Sequence, residues 1–241
     1  HIAIGAAEVM GFRLMQNFSQ PYLSNNIQDF WRRWHISLSS WFRDYLYIPL
    51  GGNRKGQLCK YRNLLITFFI SGLWHGAGWN YVVWGGLHGI YLCISSITES
   101  ARKRWNERMQ INTDCFSYRL FRKVITFIMV SVAWFFFRVE SMTQTVEMVE
   151  YIFYNLKITT FLNQHLLLGL TVHKAIGITI FLIILFAVDV IKEKGISISR
   201  FLANQNVVFR WGIYYGMLFL LILQVIESYG SAPSNFIYFQ F

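Results

Sequence analysis

Charge is scarce in these 241 residues: Lys, Arg, Asp and Glu make up 14% of the chain, against roughly 25% in an ordinary soluble domain. Hydrophobic residues take 54% and aromatic rings 18%, and mean hydropathy is +0.36, which excludes a water-soluble globule and reads as a membrane protein. Cysteine is scarce as well. Cys59, Cys93 and Cys115 are odd in number and lack CxxC or other metal-type spacing, so a disulfide framework is excluded and the three thiols are expected to be inert. Internal repeats, low-complexity tracts and Pro/Gly/Ser linkers are missing too, so residues 1–241 read as a single unit. Acidic residues number 12 against 22 basic ones, a formal net charge of +10. The basic residues cluster between apolar runs and do not spread over one soluble face. The surplus is therefore read as positive-inside bias, with no nucleic-acid partner.

What is present is a series of apolar runs over 64–97 (interrupted), 124–137, 175–191 and 212–226, each long enough, or nearly so, to cross a hydrocarbon core of about 30 Å. Several fall short of the usual ~20 residues, which implies tilted, re-entrant or shielded helices. Seven Lys/Arg lie in 32–62, seven in 102–123 and four in 192–210, whereas 140–174 carries only Lys157 and Lys174. The rich segments are expected to be cytoplasmic and the poor one external. Because both flanks of 63–98 are basic, that stretch must go in and come back, as a re-entrant helical hairpin bent near Gly76-Ala77-Gly78. Residues 1–62 then form an interfacial, cytoplasmic basic segment, and 99–241 hold three further spans with an external amphipathic helix. The fold class is all-α polytopic membrane protein, a bundle of spanning and re-entrant helices plus interfacial amphipathic helices, multi-pass in the inner or plasma membrane. The chain opens on His1-Ile2-Ala3-Ile4-Gly5 without an initiator Met or a basic region before an apolar stretch. No secretory signal peptide is read, and the chain is expected to be the later part of something larger.

Locally, 2–18 reads as a short helix ending before Gln20-Pro21-Tyr22, with a turn over 19–23. Ser24-Asn25-Asn26 offers N-caps for one helix over 27–41, on which Trp31, Trp34, Leu38 and Trp41 share a face. Aromatic belt on one side and snorkelling Arg32, Arg33 and Arg43 on the other is an interfacial pattern. Pro49-Leu50-Gly51-Gly52-Asn53-Arg54-Lys55-Gly56 forms a tight basic loop. Residues 142–156 form the amphipathic external helix, with Met142, Val146, Val149 and Phe153 on one face.

Two histidines sit inside otherwise apolar sequence: His75 in Leu73-Trp74-His75-Gly76-Ala77 and His88 in Trp84-Gly85-Gly86-Leu87-His88-Gly89. A titratable ring is costly to bury, so it marks a cavity, a partner or chemistry. His88 reads either as a reacting imidazole or as a helix-packing hydrogen-bonder among Gly85, Gly86 and Gly89. His75 reads as a ligand-binding group or as a structural hinge capping backbone groups freed by the bend. His35, on the interfacial helix, reads as catalytic, as a donor-positioning group or as an ordinary amphipathic residue. Arg32, Arg33, Arg43, Arg54 and Lys55 suit either phosphate or lipid headgroups. His1, His165 and His173 match nothing, and no metal site is supported.

The segment from Asp29-Phe30-Trp31-Arg32-Arg33-Trp34-His35-Ile36-Ser37-Leu38-Ser39 through Trp41-Phe42-Arg43-Asp44-Tyr45 to Pro49-Leu50-Gly51-Gly52-Asn53-Arg54 resembles the signature of the membrane-bound O-acyltransferase family. Within that family it is most similar to the bacterial branch of alginate O-acetylation and teichoic-acid D-alanyl transfer proteins. The block from Leu73-Trp74-His75-Gly76-Ala77-Gly78-Trp79-Asn80 to Trp84-Gly85-Gly86-Leu87-His88-Gly89 resembles the same branch, as do Ala133-Trp134-Phe135-Phe136-Phe137-Arg138 and the terminal Phe236-Ile237-Tyr238-Phe239-Gln240-Phe241. Family members are longer, with further spanning helices before the first block. The resemblance therefore implies the C-terminal part of a catalytic core, a piece expected to be inactive alone because its reaction chamber would lie open on one side.

It further implies that His88 is the acyl-transfer base and that His35 is a second catalytic residue. Trp74, His75, Asn80, Trp84, Arg32, Arg33 and Arg43 are candidates for binding substrate or donor. The implied reaction moves acetyl from a cytoplasmic thioester, acetyl-coenzyme A acting as substrate with no bound cofactor, to a hydroxyl of an exported cell-surface polysaccharide. The acyl group is expected to pass through a channel between the two hairpin arms, and the transfer is direct or completed by an extracytoplasmic esterase-like partner. D-alanyl transfer, or a non-catalytic transporter or scaffold subunit, are the alternatives. A transporter should show paired intramembrane acids, whereas only Asp189 and Glu8 are acidic with apolar flanks.

Overall fold

The computed structural model describes residues 2–139, 141–155 and 172–228. Helix is the regular structure throughout these residues, an all-α membrane fold. The chain falls into two compact units, His1–Leu182 and Ile183–Phe241.

In the first unit α1 covers Ile2–Val9, shorter than the 2–18 helix expected. Gly11 takes a left-handed φ of 84°, its N–H donates to the Glu8 carbonyl and the Phe12 N–H to the Ala7 carbonyl, a Schellman close that stops the helix. After a single turn at Pro21–Leu23, the Asn26 side chain accepts from the Asp29 N–H at 2.8 Å and caps α2, Ile27–Arg33.

The single helix expected over 27–41 is instead two. α3 covers Ile36–Phe42 and runs on through a wider turn, Arg43–Tyr47. The break is at His35, whose φ is 44°. It is held there by the neighbouring strand of chain. The Ile36 N–H donates to the Asn17 carbonyl at 3.0 Å and the Ser19 N–H to the Arg33 carbonyl at 2.9 Å, while the Ser37 N–H donates to the Asn17 side chain at 2.8 Å. The aromatic face splits with it: Trp31 and Trp34 turn into the protein, and Trp41 is 53% exposed.

A helical hairpin forms from α4, Gln57–His75, and α5, Trp79–Ile97, bent at residues 76–78, and its first arm begins six residues before the 63–98 stretch expected. Each arm has 19 residues, about 28 Å of helix. The arms run antiparallel in backbone contact. A Cβ on Gly72 would overlap the Tyr81 carbonyl, one on Gly85 the Phe68 carbonyl, and one on Gly89 would crowd Leu65 and Phe68. Small residues thus set the closest approach, the usual device where lipid gives helices no hydrophobic reason to associate. At the far end the Lys60 ammonium donates to the Ser96 hydroxyl at 2.6 Å, and buried Asn63 donates to the Leu50 and Gly52 carbonyls, tying the basic loop to α4.

α6, Glu99–Arg108, leaves α5 at a bend of 47°. α7, Phe116–Arg138, is long and apolar enough to cross a membrane, and α8 covers Met142–Asn155. On α8, Thr145 is buried and Val146 exposed, so the inward face is rotated from the one expected. The core joins Ile27 and Phe30 of α2, Leu92 of α5 and Val130 of α7, with Leu64, Phe68 and Trp134 packed around them. α2 is therefore a core element and not a surface belt.

α9, Val172–Glu193, continues from the first unit into the second, and its stretch Ala175–Glu193 also meets the length and hydropathy of a span. α10, Ile198–Ala203, and α11, Val207–Ser228, follow. Ile180 to Phe186 on α9 and Met217 to Leu223 on α11 are exposed on all sides, as lipid-facing helices require. The terminal motif at 236–241, His1, His165 and Leu156 lie outside the described residues.

Candidate functional site

His88 is at the centre. On α5 it lies one turn after Trp84 and three residues before Tyr91, so the three rings share a face, flanked by the glycines that bring α4 close. The imidazole is 0% exposed. Phe30 stacks parallel to it with centroids 6.3 Å apart, and Trp31, Trp84 and Tyr91 meet it edge-on at 4.9, 5.1 and 6.0 Å. Phe68 tilts over it at 6.3 Å. Within this apolar cage the Trp31 indole N–H donates to His88 Nδ1 at 3.2 Å. His88 Nε2 is buried without a hydrogen-bond partner, an uncommon condition that marks a functional group or a ligand position.

His75 borders this cage, and His35 lies within electrostatic range of His75. His75, the last residue of α4, packs its ring between Trp74, Trp84 and Phe137 at centroid distances of 4.8, 5.1 and 5.2 Å. Trp84 therefore stands between His75 and His88. The His35 Nδ1 is also buried without a partner. Burial pushes the His35 imidazole below its ordinary value of 6.5, partly offset by a hydrogen bond with its own backbone. A non-glycine residue held at positive φ between two helices carries local strain, which concentrates at functional sites.

The remaining candidates scatter. Trp74 is half-exposed against His75. Asn80 is buried, and its amide donates to the Val139 carbonyl at 2.8 Å, clamping α5 to the end of α7. Arg33 pairs with Asp29 at 2.9 Å and Arg43 with Asp44 at 2.7 Å, and the Arg43 guanidinium holds the Asp44 carboxyl below its usual range. Arg32 is exposed. The channel expected between the hairpin arms is not there, because the arms touch through Gly72 and Gly85. Of the five rings caging His88, Phe30 and Trp84 are buried, whereas Trp31, Phe68 and Tyr91 are partly exposed, so the cage is thinnest on the side of those three. Trp31, Phe30 and Phe68 carry no local signal that points to His88: Trp31 lies 57 residues away in sequence and reads by itself as one side of an aromatic belt. Among the described residues no three His, Cys, Asp or Glu side chains converge as metal ligands.

Residues 2–142, more than half of the chain and the stretch that holds all three histidines, match the profile of the membrane-bound O-acyltransferase family. Similar proteins include one named probable alginate O-acetylase AlgI from Pseudomonas syringae pv. tomato, 48% identical over 141 residues, which are 58% of this chain and 25% of that protein. A peptidoglycan O-acetyltransferase from Helicobacter pylori is 42% identical over 149 residues, 62% of this chain and 27% of its own length. A teichoic acid D-alanyltransferase from Bacillus subtilis is 34% identical over 113 residues, 44% of this chain and 28% of its own. The matched stretch thus spans about a quarter of these relatives.

Proposed function

This chain belongs to the membrane-bound O-acyltransferase family, and from that premise we propose that it forms part of an O-acetyltransferase centred on His88. The observation that carries the reading is the imidazole sealed among five rings with one nitrogen bonded to Trp31 and the other unpartnered, inside the stretch that matches the family. Such a desolvated, oriented imidazole can act on a carbonyl or hydroxyl group far more strongly than one in water. The donor is a thioester such as acetyl-coenzyme A, arriving from the cytoplasmic side where the basic loops lie. The acceptor is a hydroxyl of an exported cell-surface polysaccharide, reached directly or through an extracytoplasmic esterase-like partner. His75 and Trp84 line the same cluster, His35 lies within electrostatic range of His75, and the three are assigned to positioning the acyl group. Acetyl is favoured over D-alanyl as the group moved, because the two O-acetyl-transferring relatives align at higher identity and over more of the chain than the D-alanyltransferase.

The test is His88→Ala in the native, full-length protein, with alkali-released acetate measured on the cell-surface polysaccharide and protein level measured in the membrane. Loss of acetate at unchanged protein supports the proposal. Undiminished acetate returns the chain to a scaffold or transport role.

A further inference from the structure

Resting on the acyl-transfer reading, we infer that Trp31 is a positioning residue that fixes His88 as a neutral hydrogen-bond donor, so that the imidazole stabilises the oxygen of the acyl carbonyl and does not take the proton of the acceptor. An indole N–H donates and never accepts. Whichever imidazole nitrogen faces it must therefore offer a lone pair, and in the neutral ring the other nitrogen must then carry the hydrogen. In the structure the accepting atom is Nδ1, at 3.2 Å from the indole nitrogen. Nε2 therefore bears the hydrogen, and it is Nε2 that is buried without a partner.

The same bond opposes an imidazolium. Protonating Nδ1 would set two N–H groups against each other inside a buried ring cage. The cage makes escape costly: Trp31 is held edge-on against Phe68 at 4.9 Å and Trp84 at 6.0 Å, and His88 is stacked on Phe30. A fixed neutral imidazole that donates to a developing oxyanion needs no reorganisation during the reaction, which is where such donors gain their effect.

The step balances without His88 changing its proton count. A lone pair of the acceptor hydroxyl oxygen forms the new C–O bond to the thioester carbonyl carbon. The carbonyl π pair moves onto oxygen, where the Nε2–H receives it as a hydrogen-bond donor. That pair then re-forms the C=O bond as the C–S bond breaks, the sulfur leaves with its electrons, and the hydroxyl's proton ends on the sulfur. The products are an ester and a free thiol.

The experiment has two arms on the full-length protein in lipid discs. In the first, selective 15N-histidine labelling, with the His88→Gln spectrum used for assignment, reads the tautomer. The wild type is expected to show a protonated, pyrrole-type Nε2 and a bare, pyridine-type Nδ1, and Trp31→Phe, which keeps a ring in the cage, is expected to show a second tautomer. In the second arm, acetyl-coenzyme A and the native acceptor are used to measure transfer. His88→Ala is expected to lose about 10²- to 10³-fold, the usual cost of one oxyanion donor. His88→Gln, whose carbonyl can accept from Trp31 while its amide donates outward, is expected to stay at least about tenfold above His88→Ala on the same scale. A bare Nε2 in the wild type, or a His88→Gln variant no faster than His88→Ala, overturns the inference. Absence of transfer by the wild type would instead defeat the acyl-transfer reading, while the tautomer spectrum would still decide what Trp31 does.

Discussion

At the scale of single residues, His35 shows how conformation and protonation are linked. Its ring is pushed toward the neutral form by burial, so between its lowered value and 6.5 the folded protein binds fewer protons than the unfolded chain. Stability therefore rises with pH across that window and is lost as pH drops below about 6.5. His35→Asn removes the titrating ring while keeping a side chain that tolerates left-handed φ. Thermal unfolding in detergent at a series of pH values should show the wild type losing stability relative to His35→Asn below about pH 6.5; parallel curves would contradict the assignment. Sequence made His75 and His88 conspicuous, because titratable rings in apolar runs are rare, and His35 stood out only through the family resemblance. Sequence concealed their partners, because Trp31 meets His88 only through the tertiary fold and Asn17 bends the chain at His35 through bonds that no local pattern encodes.

At the scale of elements, the hairpin's glycines divide into those that touch and those that do not. A methyl group on Gly85 would overlap the Phe68 carbonyl, whereas one on the adjacent Gly86 meets nothing within 4 Å. Gly85→Ala should therefore destabilise by about 1–3 kcal/mol through overpacking, and Gly86→Ala should be neutral or stabilising by about 0.5–1 kcal/mol through helix propensity. Thermal melts of the two variants in one detergent check this, and equal effects would mean that the arms do not meet through this face. The hairpin itself was legible, since basic flanks on both sides of one apolar run leave no other path and glycines mark its bend. The Asn26 cap was legible for the same reason of local chemistry. The early stop of α1 at Gly11 had a readable signal in that glycine, one that the apolar run on either side of it outweighed.

At the scale of the whole molecule, the charge pattern makes a statement about sidedness that the helices can test. α7 separates the basic α6 region from α8, so exposed positions on the two should lie on opposite faces of the membrane. In a cysteine-free background, Thr143→Cys should react with a membrane-impermeant maleimide added to intact cells, and Lys103→Cys only after the membrane is opened; labelling of both from outside would contradict the orientation. Two of the apolar runs, those in α7 and α9, became helices long and apolar enough to cross a membrane, lengthened at their polar ends, whereas the run in α11 yields a shorter apolar stretch, Val207–Leu223. The burial of α2 was not legible, because an amphipathic aromatic helix has the same pattern whether its rings face lipid or a core. The most direct measurement of all is transfer of isotope from an acetyl-labelled thioester to the polysaccharide by membranes holding the full-length protein. Label should appear with the wild type and fall by about 10²-fold or more with His88→Ala at equal protein, and label that stays at the wild-type rate in the variant would contradict the placement of the chemistry at His88.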